Sequence, residues 1–285
     1  MSKKLEWTGE RFIPGVEAEI AYEHYGRYEF ALQFCRGKVV LDAPSGEGFG
    51  SARLSTVARE VIGVDLSEQA ISHAREMYIG EHLSFRVGDV AVLSGLENET
   101  LDVITCFEGI EHLSAREQPL VLRRFMEILK PDGVLLISTP NKTLYSDLPQ
   151  HKNEFHQKEF YFGEYADFLK SEFKQVHFFG QSSVDCSVIT QVDQHSVNDI
   201  CFYDSGARPV THSAPSPESF LFFVAVCHKN EEVQTPVRGM TLVDLKNTAT
   251  QLKIRQYEAE IERLNRELVL ARRSGFRTFV RELFN

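Results

Sequence analysis

The stretch that decides the fold is Val39-Val-Leu-Asp42-Ala-Pro-Ser-Gly46-Glu-Gly48-Phe-Gly50, an apolar run that ends in a carboxylate and continues into closely spaced glycines. Glycine has no Cβ, so such a segment can turn tightly and let its backbone approach a ligand. A strand, a glycine turn and a helix in this order are typical of a nucleotide-binding α/β unit. A dinucleotide fingerprint would require a further glycine three residues after Gly48, where this sequence has Ser51.

Further apolar runs follow this stretch and alternate with amphipathic segments. The runs are 60–65, 83–87, 101–106 and 134–138, and the helix-like segments between them include 67–78 and 119–129. This alternation predicts a parallel sheet covered on both faces. Residues 175–179 and 220–226 can add two strands, with a long polar excursion over 181–218 between them. We therefore predict a doubly wound, mostly parallel, Rossmann-like α/β sheet over residues 38–228.

The two ends of the chain differ from this central domain. Residues 1–37 are aromatic and charged, and they predict an N-terminal helical segment. Residues 229–285 predict a linker and a C-terminal helix, because apolar side chains recur there at spacings of three and four. These side chains are Ile254, Tyr257, Ile261, Leu264, Leu268 and Ala271. They predict a coiled coil that forms a homo-oligomer or recruits a partner, and a helix lying on its own domain is the alternative.

Composition and charge exclude several classes of protein. Five cysteines are scattered without a Cys-x-x-Cys pair, so a disulfide framework and a structural zinc site are not expected. We expect a cytoplasmic protein, since the start carries no apolar signal region and no apolar run is long enough to span a membrane. Residues 1–228 hold 20 Lys/Arg against 33 Asp/Glu, and residues 229–285 hold 11 against 8. The acidic body makes nucleic acid an unfavourable substrate.

A second cluster follows the fourth predicted strand, in the sequence Glu108-Gly-Ile-Glu111-His112. On a helical turn these three ionisable side chains would share one face. Two carboxylates and an imidazole this close repel one another unless a cation lies among them. Their mixed oxygen and nitrogen donors suit Mg²⁺, Mn²⁺ or Fe²⁺. A helix end with solvated charges is the alternative interpretation.

Taken together, these motifs resemble a class I S-adenosylmethionine-dependent methyltransferase. The resemblance rests on Asp42-x-x-x-Gly46-x-Gly48, Asp65, Gly88-Asp89 and Leu129-Lys-Pro-Asp-Gly133, and it covers residues 38–228. It implies that Gly46 and Gly48 lie along the methionine part of the cofactor, that Asp65 holds the ribose and that Asp89 and Val90 face the adenine. We also assign Asp42, Leu66 and Phe107 to the cofactor site, and Arg27 to the cofactor's carboxylate through a charge-assisted pair.

The Glu-x-x-Glu-His motif with a distant histidine resembles metal-assisted methyltransferases of the small-RNA 3′-terminal type, and in part those of ubiquinone biosynthesis. By position, this implies that Mg²⁺ or Mn²⁺ would be bound by Glu108, Glu111, His112 and His156. His151 competes with His156 for the role of distant ligand. The candidate catalytic residues are His112, His156 and Glu111, since an imidazole there could accept the proton of a methyl acceptor.

Further segments resemble methyltransferases associated with bacterial surface-polysaccharide synthesis. They are Trp7-Thr-Gly-Glu-Arg11-Phe-Ile-Pro-Gly15, Glu23-His-Tyr-Gly-Arg27-Tyr-Glu-Phe-Ala31 and Asn153-Glu-Phe-His156. The resemblance implies a sugar hydroxyl as acceptor, on a glycan or on a nucleotide- or lipid-linked precursor, and partners in glycan assembly. A terminal aromatic stripe over 276–284 predicts docking on a partner or contact with the inner face of the cytoplasmic membrane, and folding back onto the catalytic domain is the alternative. Alternatives are an RNA 2′-O-methyltransferase, a methyltransferase of a quinone-like small molecule and a cofactor-binding assembly scaffold.

Overall fold

A computed structural model of the chain describes residues 18–183 and 216–230, together with Tyr257, Ile261, Arg263 and Leu264. Three predictions therefore concern segments that lie largely or wholly outside the described residues. They are the motif at 7–15, most of the polar excursion at 181–218, and most of the linker and C-terminal helix at 229–285.

In the part of the chain that the structure describes, seven strands form at the predicted apolar runs. They are β1 (Val39–Asp42), β2 (Glu60–Asp65), β3 (Leu83–Val87), β4 (Leu101–Cys106), β5 (Leu129–Pro140), β6 (Gln175–Gln181) and β7 (Phe222–His228). Strand β5 begins earlier than the predicted start at Val134, because Leu129 already pairs with Leu101 across a register shift. Strand β7 is displaced by two residues from its predicted span.

Within residues 18–183 and 216–230, five α-helices connect or precede the strands. They are α1 (Ala18–Cys35), α2 (Phe49–Ser55), α3 (Glu68–Met77), α4 (Gln118–Ile128) and α5 (Phe162–Lys170). Helix α3 begins where the sequence predicts, since the Ser67 side chain accepts a hydrogen bond from the Ala70 N–H at 3.2 Å. This cap satisfies one of the N–H groups that a helix start leaves without a partner.

The strand order is β3-β2-β1-β4-β5-β7-β6. Strands β1 to β5 are parallel, while β7 runs antiparallel between β5 and β6. The mostly parallel, doubly wound α/β sheet predicted from the sequence is thus confirmed. Since parallel strands end at one edge, the carboxyl ends of β1, β2, β4 and β5 are neighbours, and ligands of such sheets bind there.

Each face of the sheet is covered by helices. In β1, Leu41 packs into the core formed with α4 and α5, and its neighbour Val40 packs into the core formed with α1. Side chains alternate between the faces of a strand, so one apolar run contributes to both cores. A smaller cluster of Ile71, Ala74 and Phe85 joins α3 to the edge strand β3. This arrangement holds the ends of the strands in fixed relative positions.

Two observations concern membranes and the C-terminal region. Among the described residues, no helix combines the length and the apolar character that crossing a membrane requires. Tyr257, Ile261 and Leu264 are helical, and these apolar side chains are exposed. The helical conformation agrees with the predicted helix at these positions, and the coiled coil remains a prediction.

Candidate active site

The glycine turn after β1 is fixed by its neighbours. The Gly46 N–H donates to Asp65 Oδ2 at 2.9 Å, which ties the turn to the end of β2. Gly48 has a φ of 96°, and a Cβ there would lie 2.7 Å from the Cβ of Ala74 in α3. Glycine alone accommodates both the left-handed backbone and this contact. The turn therefore needs glycine at Gly48, as the sequence predicts.

Asp42 ends β1 and is completely buried beneath the turn. Its carboxylate accepts hydrogen bonds from the hydroxyl groups of Tyr28 at 3.0 Å, Ser51 at 2.6 Å and Thr105 at 2.7 Å. Burial raises the pKa of Asp42 to about 6, and the three hydroxyl donors oppose that rise. A direct contact between Asp42 and the cofactor remains a prediction. In this structure, Asp42 joins α1, α2 and β4 to the base of the turn.

Asp65 lies at the end of β2, where the sequence predicts the ribose. Its Oδ1 accepts the Ser67 N–H at 2.9 Å, and its Oδ2 accepts the Gly46 N–H. A carboxylate oxygen can accept more than one hydrogen bond, so these contacts are compatible with the predicted ribose. Asp65 thus both shapes the glycine turn and presents acceptors at the edge of the sheet.

The predicted adenine residues lie at the neighbouring strand ends. Leu66 follows β2 and is 70% exposed, although it is a large apolar side chain. Asp89 is exposed and Val90 is half-buried shortly after β3, and Asp89 Oδ1 accepts the Ala91 N–H at 2.8 Å. An exposed leucine beside Asp65 fits a surface that an adenine ring would cover.

Arg27 reaches the same edge from α1 and is only 2% exposed. Its Nη1 donates to Gln181 Oε1 at 2.8 Å and lies 3.8 Å from Glu108 Oε1. The guanidinium carbon lies 4.9 Å from the centroid of the Phe222 ring. Within the described residues, Nε has no hydrogen-bond acceptor. A ligand carboxylate would satisfy this buried donor, in agreement with the predicted role of Arg27.

Glu108 does not share a helical face with Glu111 and His112, and that prediction is wrong. Its φ of 49° lies in the left-handed region, and the helix that follows is a single 3₁₀ turn that begins at Ile110. Ser138 Oγ accepts the Glu108 N–H at 3.1 Å and donates to Glu108 Oε1 at 2.6 Å. A residue in a rarely populated backbone conformation costs about 1–3 kcal/mol of stability, and such residues cluster at functional sites. The conformation of Glu108 therefore supports a site at this edge.

Phe107, immediately before Glu108, is buried. Its ring packs edge-to-face against the Tyr28 ring, with the centroids 5.3 Å apart. This contact joins the end of β4 to α1 beneath the candidate site. A contact between Phe107 and the cofactor remains a prediction.

Glu111 is fully buried at the centre of the cluster. Its Oε2 accepts the Thr139 hydroxyl at 3.3 Å, whereas its Oε1 has no donor in the part of the chain that the structure describes. Burial, and secondly the charge of Glu108, raise the pKa of Glu111 well above its ordinary value. A buried carboxylate is unfavourable unless it meets a proton or a cation. The position of Glu111 therefore fits a cation site.

His112 and His156 face each other, with ring centroids 5.0 Å apart. The Nδ1 of His112 lies 3.2 Å from the carbonyl oxygen of Phe155, and the Nδ1 of His156 lies 2.5 Å from Glu159 Oε1. Metal-binding histidines usually donate their second ring N–H to such an oxygen. One potential ligand atom from each of Glu111, His112 and His156 lies within 4.8 Å of the others. These three residues could hold a divalent cation.

Two of the predicted ligands are placed differently. His151 is exposed, and its ring centroid lies 6.3 Å from that of Tyr145, so the geometry favours His156 as the distant ligand. Glu108 is held by Ser138 and Arg27 and does not belong to the three-residue group. The three-residue group is thus Glu111, His112 and His156, and a ligand role for Glu108 remains a prediction.

Sequence reasoning did not assign several residues that complete the site. Each forms a hydrogen bond with a predicted site residue: Gln181 with Arg27, Ser138 with Glu108, Thr139 with Glu111, and Asn153 and Glu159 with His156. Ser138 and Thr139 come near the end of β5, and their place at the carboxyl edge could have identified them. Gln181 lies 154 positions from Arg27, and no local pattern connects the two residues.

The chain is similar to proteins named as methyltransferases. Residues 40–133 match the family model of a methyltransferase domain. A probable S-adenosylmethionine-dependent methyltransferase of Mycolicibacterium smegmatis is 36% identical over 59% of this chain and 64% of its own length. A ubiquinone biosynthesis O-methyltransferase of Azorhizobium caulinodans is 30% identical over 46% of this chain and 52% of its own length. The chain thus spans about half to two thirds of these relatives.

The PH0226 protein of Pyrococcus horikoshii OT3 has a similar fold, with a TM-score of 0.57 and 16% identity over 79% of this chain and 96% of that one. Residues 40–133 match a methyltransferase domain, and the strand order and the glycine turn are consistent with the fold of a class I S-adenosylmethionine-dependent methyltransferase.

Proposed function

We propose that this chain is an S-adenosylmethionine-dependent O-methyltransferase that acts on a sugar hydroxyl of a surface polysaccharide or of its precursor. The observation that best supports methyl transfer to an oxygen atom is the group of Glu111, His112 and His156 beside the predicted cofactor residues. A sugar hydroxyl is a very weak acid, so the site must help to remove its proton. Carboxylate and imidazole side chains at the edge of the sheet can supply that help.

Several residues would hold the cofactor. The backbone at Gly46 and Gly48 would run along the methionine part, Asp65 would accept the ribose hydroxyls, and the free Nε edge of Arg27 would bind the carboxylate. The bound cofactor supplies an electrophilic methyl group on a sulfonium. The protein's contribution is then to align an acceptor oxygen with that methyl group, since positioning alone can remove much of the barrier.

The histidines would act on the acceptor hydroxyl. Burial lowers the pKa of His156, partly offset by the Glu159 hydrogen bond, and this shift favours the neutral imidazole, which has a lone pair. Glu111, His112 and His156 would hold Mg²⁺ or Mn²⁺, which suit mixed oxygen and nitrogen donors. A divalent cation at this position would lower the pKa of a bound hydroxyl. An imidazole that is not engaged as a ligand would accept the proton.

The sugar acceptor is supported by the resemblance of residues 7–31 and 153–156 to methyltransferases of surface-polysaccharide synthesis. A quinone-like phenol is the second candidate, because the Azorhizobium relative is named for ubiquinone biosynthesis. The acidic body disfavours RNA. A cofactor-binding scaffold would keep the cofactor contacts without turnover.

Two experiments test the proposal. Calorimetric titration of the full chain with S-adenosylmethionine, with and without Mn²⁺, should give cofactor binding in both conditions. Mass spectrometry of surface glycans from a deletion strain should show loss of one methyl group per repeating unit, with quinones unchanged. Unmethylated quinone precursors with intact glycans would instead support the phenol acceptor. Cofactor binding without any change in either product class would support the scaffold.

The C-terminal region should mediate association rather than chemistry. The exposed Tyr257, Ile261 and Leu264 lie on the predicted seam, and an exposed apolar face favours a partner. We expect removal of residues 240–285 to leave the Kd for S-adenosylmethionine unchanged. It should also lower the mass measured by light scattering or release the protein from membranes. A truncated chain that keeps its mass and location but loses cofactor binding would place the segment in the catalytic domain.

A further inference from the structure

Glu159 contacts His156, although no sequence motif assigned Glu159 a role. It is buried, with 9% of its surface exposed, and lies beside Phe160, whose backbone bridges to Asn141 after β5. Its Oε1 accepts hydrogen bonds from His156 at 2.5 Å and from the Ser146 hydroxyl at 2.9 Å. Because Ser146 also donates to it, the Glu159 carboxylate is itself held in place and can orient His156.

The hydrogen bonds around Asn153 determine which nitrogen of His156 carries the proton. Asn153 Oδ1 accepts the Phe155 N–H at 3.0 Å, so the amide NH₂ group is the part that faces His156. That NH₂ lies 3.0 Å from His156 Nε2 and donates to it. Since Nε2 accepts, the proton of the neutral ring is on Nδ1, and Nδ1 donates to Glu159.

The ring of His156 is also fixed by packing. The Tyr145 ring stacks on it at 5.3 Å between centroids and an interplanar angle of 26°. Tyr145 and Ser146 both belong to the short turn Thr143–Asp147 that follows β5. One turn thus supplies the surface under the imidazole and the second hydrogen bond to Glu159, so the two side chains are held as a unit.

We propose that Glu159 is the positioning residue of this site: it fixes His156 in the Nδ1–H tautomer, so that Nε2 carries the lone pair, which a cation or the acceptor hydroxyl would take over from the Asn153 NH₂ group. This inference rests on the proposed function in assigning His156 a chemical role. Removal of the carboxylate leaves His156 without its acceptor, and the ring then reorients or populates the other tautomer. Mutation of a residue that hydrogen-bonds to a metal ligand typically weakens metal binding by about 10- to 100-fold.

Three variants of the full chain separate the hydrogen bond from mere packing. In Glu159→Leu the acceptor is absent, whereas in Glu159→Gln the amide oxygen can still accept both hydrogen bonds. Glu164→Gln is the matched control, since Glu164 is an exposed carboxylate that forms an ion pair with Lys158. The readouts are long-range ¹H–¹⁵N NMR of the His156 ring and Mn²⁺ binding followed by electron paramagnetic resonance.

We expect wild type to show the Nδ1–H tautomer. Glu159→Leu should lose it and bind Mn²⁺ about 10- to 100-fold more weakly. Glu159→Gln should retain the tautomer, with a loss under about 10-fold, and Glu164→Gln should match wild type. The affinity for S-adenosylmethionine should be the same in all four proteins, which reports that the variants remain folded.

An Nε2–H tautomer in wild type would overturn the inference, and this measurement needs no variant should Glu159→Leu not fold. Equal Mn²⁺ binding by Glu159→Leu and wild type, with the same tautomer in both, would overturn it as well. If wild type binds no Mn²⁺, the metal part of the proposed function fails while the tautomer still tests Glu159. The two failures are therefore distinguishable.

Discussion

Replacing Asp65 by alanine is expected to weaken the binding of S-adenosylmethionine by about 10- to 150-fold, which corresponds to about 1.5–3 kcal/mol for lost hydrogen bonds to a charged acceptor. Asp65 is expected to act in two ways. Its carboxylate would accept the ribose hydroxyls, and in the structure it already accepts the backbone N–H groups of Gly46 and Ser67. Calorimetric titration of the variant with the cofactor measures the effect directly.

The matched control is Glu68→Ala, which removes an exposed carboxylate in the first turn of α3. Its affinity should equal that of wild type. Thermal unfolding of both variants shows whether the turn loosens, because two backbone donors lose their acceptor in Asp65→Ala. An Asp65→Ala protein that binds the cofactor as tightly as wild type would contradict the placement of the ribose.

Removal of divalent metal by a chelator is expected to reduce turnover by about 100-fold, since a bound cation contributes several kcal/mol to such a reaction. Glu111→Gln should weaken Mn²⁺ binding by about 10- to 100-fold, the range known for changes around metal sites, and leave cofactor affinity unchanged. The reason is that Glu111 Oε1 is buried without a donor among the described residues, so a cation is its natural partner. Electron paramagnetic resonance of Mn²⁺ and a turnover assay measure the two effects.

Glu154→Gln serves as the control for Glu111→Gln, since Glu154 is an exposed carboxylate two residues from His156. It should bind Mn²⁺ as wild type does. Restored turnover after Mn²⁺ or Mg²⁺ is added back would exclude damage by the chelator. Full turnover by protein that has been exhaustively chelated, in metal-free buffer, would eliminate metal-assisted transfer.

Local patterns were sufficient to predict the strands and the glycine turn. Each strand is a short apolar run, and Gly48 has no alternative because its backbone is left-handed and Ala74 lies close. The residue spacing led to a wrong prediction at Glu108, because it assumed a helical face. In the structure, Glu108 has a left-handed backbone, is hydrogen-bonded to Ser138 and precedes a single 3₁₀ turn. Conformations set by a partner on another strand leave no periodic signal in the sequence.

The same limit applies to residues that act through others. Arg27 could be assigned from its charge, but its partner Gln181 is brought to it only by the pairing of β6 with the antiparallel β7. The His156–Glu159 pair is only three residues apart. The sequence does not indicate this pair, because those residues form no helix and the contact depends on the loop that follows β5.

The candidate site is divided between two parts of the chain. The region matched by the methyltransferase model ends at Gly133, within β5, and contains the glycine turn, Asp65 and Glu111. Glu159, which contacts His156, and Gln181 and Phe222, which contact Arg27, lie beyond that region, in the loop after β5 and at the ends of β6 and β7. The family match therefore covers the glycine turn and Asp65, whereas side chains outside it complete the surroundings of His156 and Arg27.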